Sequence, residues 1–593
     1  VPNWGAYHYV RLTPGAQPDA VAPKVTDVFN ERRPRRLDRE PDNRYSERLQ
    51  ALTEIHFAER ALYDASPHRN PAYLWIFAAI GGLILVITTI NYANLALALY
   101  AERNAEIGIR KALGGYRGQI AKQFLTEASL LALLCVPLAL GVCAAALPAF
   151  NTLMDTAIGG ARVVQPMVLA TMVGLAVLVG FVAGGYPAFV LARKQTVDLF
   201  GRALSSGQRR GGWSLRHGLI GLQFAVLIAL GSLSWIANDQ LQFMQGEALG
   251  YPTDTIVLTN FSSDSTTYQQ FRQRLARSSA VAAVGLGSAE GVPRTPSSRA
   301  PFAISGADRV YPNGASREVD VHWFDVMGIE HPVIETMQEN APLAPTRYLV
   351  NPAAARLSPE DDIAVDSIGE GATLDFTQSS APPYPISGVL PTVHLNSMRD
   401  TVAPAFYEVT AAPSYGYNVL VRLVPGRIDE GLDAIRAVWP DLQPDTPLRT
   451  TFLSEEVAQL YQQERRFGTL ATALTGIAVL LAALGLASLV AYLTRLRRKE
   501  IGIRKALGGS VAGIVTLLNK EYVQIAGAAF LVGAPLSWWA ADGWLEQFAY
   551  QIDLSVLPFA VAGLGALVVA VAAVSTQALR AARIDPARVL RSE

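Results

Sequence analysis

The chain alternates between long apolar runs and stretches in which polar positions dominate. Seven runs, near residues 76–97, 124–147, 167–190, 219–236, 469–492, 522–541 and 557–576, stay apolar for about the 20 residues a helix needs to cross hydrocarbon. They predict seven transmembrane helices. Between the fourth and fifth runs, over residues 238–468, the period changes. β-forming residues alternate or cluster at 255–259, 348–350, 384–390 and 417–423, between Pro and Gly breakers, and predict strands. Apolar residues recur at helical spacing over 268–277, 428–439 and 454–466. This segment therefore predicts an α+β domain tethered by a membrane helix at each end.

Charge orients the runs. Basic residues crowd the loops after the first, third, fifth and seventh runs, among them Arg103, Arg110, Lys111 and Arg117, then Arg193 and Lys194, then Arg497, Arg498, Lys499, Arg504 and Lys505, then Arg580 and Arg588. These loops are expected in the cytoplasm. The short loops at 148–166 and 542–556 carry a single basic residue, Arg162, and are expected outside. Arg32, Arg33, Arg35, Arg36 and Arg39 fall on the outer side, but long segments translocate largely regardless of charge. Residue 1 is also placed outside, so an eighth helix is expected upstream of this sequence.

Composition narrows the chemistry. A chain of 593 residues exceeds one globular core, and its balanced charge and 50% hydrophobic content average over apolar spans and charged loops. Cys135 and Cys143 share one apolar run while the polar regions have no cysteine, which excludes a disulfide framework. The histidines lack His-Glu-x-x-His spacing, so no metal is expected. Gly285-x-Gly287-x-x-x-Gly291 is misspaced for a dinucleotide loop. There is no Gly-x-x-x-x-Gly-Lys-Ser/Thr loop, so this chain is expected to bind no cofactor, and ATP and Mg are expected on a partner.

The chain repeats itself. Glu106-Ile-Gly-Ile-Arg-Lys-Ala-Leu-Gly-Gly115 recurs without mismatch as Glu500-Ile-Gly-Ile-Arg-Lys-Ala-Leu-Gly-Gly509, an offset of 394 (500 minus 106). At the same offset Ile120 matches Ile514 and Glu127 matches Glu521. Val10-Arg11-Leu12-x-Pro14-Gly15 matches Val421-Arg422-Leu423-x-Pro425-Gly426 at 411 (421 minus 10), so the first copy carries 17 extra residues (411 minus 394) between these landmarks. Each copy reads as one helix, an outside domain and three closely spaced helices. The first copy is expected to begin inside its outside domain.

The repeated block has the form of a stiff docking element. Ile109 and Leu113 stand at i and i+4 on one helical face while Arg110 and Lys111 point elsewhere, and Gly114 and Gly115 end or bend the helix. Ile503, Leu507, Arg504, Lys505, Gly508 and Gly509 repeat the arrangement. A basic anchor on the membrane surface would satisfy the charge but needs no particular sequence. Glu127 and Glu521, at the edges of spans, call for a structural ion pair with a Lys or Arg of the same loop, or else a coupling role.

These blocks, with Asn91-Tyr92-Ala93-Asn94-Leu95, Thr126-Glu127-Ala128, Trp323-Phe324-Asp325-Val326-Met327-Gly328-Ile329, Gly388-Val389-Leu390 and Ile584-Asp585-Pro586-Ala587-Arg588-Val589-Leu590, resemble the FtsX-like/MacB-type permeases of ATP-binding cassette transporters. The resemblance implies a polytopic α-helical membrane protein with α+β extracytoplasmic domains of the MacB periplasmic-core type. It implies two tandem four-helix modules, seven of whose spans are present. The corresponding divisions are 1–74 (end of a first outside domain), 75–192 (helices of the first module), 193–215 (cytoplasmic linker), 216–237 (first helix of the second module), 238–468 (second outside domain), 469–578 (remaining helices) and 579–593 (cytoplasmic tail). It further implies a bacterial inner-membrane permease, not itself an enzyme, that docks an ATPase subunit, in two copies, through Glu106, Ile109, Arg110, Lys111, Leu113, Gly114 and Gly115 and through Glu500, Ile503, Arg504, Lys505, Leu507, Gly508 and Gly509. Closure of the ATPase pair would move the outside domains and extrude a hydrophobic or peptide-like substrate. A periplasmic adaptor or second permease copy is a further expected partner, besides membrane lipid, with no nucleic acid. Two alternatives stay open: a membrane signalling adaptor that controls an outside partner, and a secondary transporter, which would need mid-membrane charges these spans almost lack. One departure stands out, for the second copy has Gly485 and Ser488 where the first has Asn91 and Asn94.

Overall fold

The computed structural model describes residues 9–32, 49–54, 71–102, 104–114, 116–193, 215–246, 249–261, 265–288, 298–304, 310–330, 346–355, 372–376, 382–410, 417–496, 503–504, 507 and 510–582. The chain divides into two units, one of Val1–Trp75 with Glu247–Leu460, the other of Ile76–Gly246 with Tyr461–Glu593.

The elements run in the order α1 (Pro18–Arg32), α2 (Pro71–Glu102), α3 (Asn104–Ala112), α4 (Arg117–Met154), α5 (Pro166–Arg193), α6 (Leu215–Gln245), β1 (Ile256–Thr259), α7 (Ser265–Leu275), β2 (Val281–Ser288), β3 (Ser298–Ile304), β4 (Val310–Val319), α8 (Val321–Met327) and β5 (Arg347–Val350). Then follow α9 (Pro352–Ala355), β6 (Thr373–Phe376), β7 (Tyr384–Val389), β8 (Ala405–Val409), β9 (Tyr417–Leu423), α10 (Ile428–Leu442), β10 (Thr450–Phe452), α11 (Leu453–Leu460), α12 (Gln462–Leu496), α13 (Val511–Leu545) and α14 (Leu557–Ala582).

Seven helices among the described residues are long and apolar enough to cross a membrane: Tyr73–Ala96, Gly118–Met154, Pro166–Gly185, His217–Gln245, Gln462–Thr494, Val511–Leu545 and Leu557–Arg580. They coincide with the seven apolar runs and overshoot most of them, because helical hydrogen bonding continues beyond the segment that must be greasy. The chain is thus a polytopic helical membrane protein with an α+β domain. In its second half α6, α12, α13 and α14 pack on one another. Ile220, Phe224, Leu227 and Ile228 of α6 share a core with Ala478 and Leu489 of α12, Ile525 and Ala529 of α13, and Ala570 and Val574 of α14. Ile80 and Ile87 of α2 join the same core. In the first half α4 packs on α5 through small residues, and a Cβ on Gly180 would lie 2.6 Å from the Ser129 backbone.

The sheet unit orders its strands β10-β1-β9-β2-β4-β3-β6-β7-β5-β8, and β4 also pairs with β8 in parallel. The last six strands therefore close into a ring. Alternate residues point inward, so Phe302 and Ile304, Tyr348 and Val350, Leu374 and Phe406 fill its interior. Over β1, β9 and β2 lie α7 and α10, whose Phe271, Leu275, Ile435 and Trp439 cover Val257, Val284, Val419 and Val421.

The segment Trp323–Ile329 is α8 and its exit, capped by Asp320 and ended by Gly328 at φ +69. Asp320 accepts from the amides of Trp323 at 2.8 Å and Leu286 at 2.9 Å and from the Tyr268 hydroxyl. Burial pushes its carboxyl above the usual range, against the pull of those hydrogen bonds. Gly285 and Gly287 are strand residues over which α8 sits: a Cβ at Gly285 would come within 2.7 Å of the His322 and Trp323 backbone. The glycines thus serve packing. The single helix expected at 454–466 is two, interrupted at Tyr461, whose side chain is fully buried.

Candidate functional site

The site is built on α3, the short helix between the first two spans. Ile107 is 3% exposed and sits among Ala96, Ile120, Phe124 and Ala188, so one residue pins α3 against α2, α4 and α5. Burying that side chain is worth roughly 1.5–3 kcal/mol. Two residues further along a helix is about 200° round the axis, so Ile109 points away from the bundle, and Leu113 follows one turn on. Ile109 is 52% and Leu113 82% exposed. The turn is closed by Leu113 N donating to Ile109 O at 2.9 Å and Gly114 N to Lys111 O at 3.1 Å. Gly114 then takes φ +93, a left-handed conformation that a side chain would strain by about 1 kcal/mol.

The second copy repeats this surface. Ile503 is 50% and Leu507 82% exposed, and Leu507 N donates to Ile503 O at 3.0 Å. Arg504 is exposed beside them. Gly115, Glu500, Lys505, Gly508 and Gly509 lie outside the described residues. Two oily knobs of equal exposure, flanked by basic side chains, thus stand at matching places in the two halves.

What holds each knob differs. In the first copy Arg110 Nη2 pairs with Glu106 at 2.7 Å, one turn back on α3. Its Nη1 donates to Gln123 Oε1 at 2.6 Å, and Gln123 Nε2 donates to Glu127 Oε1 at 2.9 Å. A polar relay therefore fastens α3 to the second and third turns of α4. Both members of the ion pair are about half exposed, so it contributes only about 0.3 kcal/mol. In the second copy Glu521 is met by His217 of α6, Nε2 to Oε1 at 2.5 Å, rather than by a basic residue of its own loop. The reason is geometric: α6 packs on α13 and brings His217 there. Gln123 has Leu517 as its counterpart (123 plus 394), so the relay is not repeated. Ser510 caps α13 by accepting from Gly513 N at 3.1 Å, while Tyr116, its counterpart on α4, makes no side-chain cap.

Sequence reasoning found the knobs and the acids but missed Gln123 and His217. Gln123 occupies an unremarked position in a helical run, and His217 is 304 residues from its partner.

The family model described as "FtsX-like permease C-terminal" matches residues 78–196 and 472–586, and each match contains one knob and one span-edge acid. The chain is 35% identical over 126 residues to a macrolide export ATP-binding/permease protein MacB of Bdellovibrio bacteriovorus, an overlap of 21% of this chain and 18% of the relative. It is 33% identical over 125 residues to an uncharacterized ABC transporter permease, YknZ, of Bacillus subtilis (21% and 30%). It is 30% identical over 154 residues to a MacB of Nitrobacter winogradskyi (25% and 22%). The chain thus spans less than a third of the length of these curated relatives.

Proposed function

The chain is an FtsX-like, MacB-type ABC permease, and from that premise we propose that it passes work from a separate ATP-hydrolysing subunit to its sheet domain. The observation that carries the reading is the pair of exposed Ile-Leu knobs, Ile109 with Leu113 and Ile503 with Leu507. Exposed aliphatic side chains with basic neighbours suit insertion into a partner's cleft. The pinned Ile107 gives α3 a firm seat in the bundle, as force transfer requires.

On this reading the knobs face the cytoplasm of a bacterium, the spans lie in its inner membrane, and the sheet domain lies outside. Closure of two ATPase subunits, with ATP and Mg between them, pushes both knobs. Work passes from each knob to the sheet domain by way of the membrane helices, without substrate passing between them. The MacB relatives are named for macrolide export, and the task proposed for this chain is export of a hydrophobic or peptide-like compound.

Leu113→Asp combined with Leu507→Asp is expected to abolish retention of the ATPase on the detergent-solubilised permease, and either single change to lower stimulated ATP turnover about tenfold. Retention and turnover unchanged in the double variant would end the proposal. Binding of the wild type to protein-free anionic vesicles through the same residues would instead favour a surface anchor.

A further inference from the structure

In a molecule with pseudo-two-fold symmetry, a contact on the axis brings a residue against its own repeat counterpart. Asn91 and Gly485 are such a pair, 394 apart (485 minus 91), at matching positions of α2 and α12. Asn91 Nδ2 donates to Leu481 O at 2.8 Å. A Cβ built on Gly485 would overlap the Asn91 carboxamide. The two residues thus form a peg and its hollow.

The surroundings are apolar. Ile76, Ile80, Ile84 and Ile87 of α2 lead to Asn91 along a face that shares one hydrophobic core with Leu474, Ala478, Leu481 and Ala482 of α12. A single polar residue in an apolar helix seam selects its partner, because any other pairing leaves a carboxamide unsatisfied or a void unfilled. Two first-module helices would set Asn91 against Asn91 with no hollow. Two second-module helices would set Gly485 against Gly485, with no hydrogen bond and an empty space.

A second contact between the halves is one-sided as well. Arg466 of α12 donates to Met154 O at 3.1 Å and pairs with Asp155 at 3.0 Å, at the C-terminal end of α4. A cation there satisfies both the last carbonyls and the helix dipole. Its counterpart is Ala72 (466 minus 394), which cannot return the contact.

We infer that the two modules are matched to each other and not to themselves, so that one chain supplies both halves of the permease and its first module does not pair with that of a second copy. This holds whether or not the knobs dock an ATPase.

The test uses the full chain in membranes, with Cys135 and Cys143 replaced by Ala. Phe77 and Phe467, whose rings lie 5.3 Å apart across the seam, are changed to Cys and joined by a short thiol-specific cross-linker. Joined peptides are counted by mass spectrometry, and covalent dimers on denaturing gels. The double-cysteine protein is expected to cross-link within the chain, and Phe77→Cys alone to give no dimer. Gly485→Asn is expected to cut the internal cross-link at least fivefold. Adding Asn91→Gly should restore it to within twofold, since the carboxamide introduced on α12 would then reach the carbonyl of Ile87, the counterpart of Leu481. Dimers from Phe77→Cys alone, as abundant as the internal cross-link, would overturn the inference. So would failure of the exchange to recover cross-linking, including the case in which Gly485→Asn prevents folding and Asn91→Gly does not rescue it.

Discussion

The helices α4 and α13 start from the same motif and follow the same repeat register, yet they live in different surroundings. On α13, Ile525, Ala529 and Ser537 are 3%, 4% and 1% exposed, because α6 lies across them. Their counterparts on α4 are Leu131, Cys135 and Cys143. The repeat preserves the knob, while the polar groups tied beside it differ. One knob is tied back through Arg110, Gln123 and Glu127 within its own module. The acid beside the other is tied to a neighbouring helix through His217.

The largest test of this contrast is steric. A Cβ on Gly533 would lie 3.0 Å from the Ala225 backbone of α6, so Gly533→Leu is expected to cost about 3 kcal/mol, while Gly533→Ala, which adds the Cβ alone, costs about 1 kcal/mol. Thermal inactivation of the two purified variants would show it, and equal losses would erase the distinction. A middle-sized test exchanges the caps. Ser510→Ala should destabilise the start of α13 by about 1 kcal/mol and Tyr116→Ser should stabilise that of α4 by a similar amount, read as hydrogen-exchange protection of the first turns. The smallest concerns the ties. Gln123→Leu, which gives the first module the residue of the second, should loosen α3 by about 0.5 kcal/mol without affecting α13, and His217→Ala should do the reverse. Faster exchange at both sites in either variant would mean the supports are shared.

Much of this was legible in the sequence because it is periodic. The spans are long, and the strands at 348–350 and 417–423 are short β-rich runs bounded by breakers, so local pattern sufficed. What stayed hidden depends on partners far along the chain. β2 carries Gly285 and Gly287, which weaken any strand signal, and they are there to admit α8. The ring closes through β4 and β8, whose partners Ala315 and Ala405 lie 90 residues apart (405 minus 315). The mismatch of Asn91 with Gly485 was visible as a difference between copies, but only packing shows that the two residues meet. The knobs could be read from spacing, since a helix dictates that Ile109 and Leu113 share a face. Their supports could not, since nothing local marks Gln123 or His217 as partners.

The ring in the sheet unit limits how anything can attach to it. A sheet that curls back on itself offers no strand-length template along its closed side, and the strand order ends at β10, Thr450–Phe452. Three residues give a foreign peptide too few main-chain sites to add itself as a strand. At that end of the sheet a partner has to rely on side chains more than on main-chain pairing.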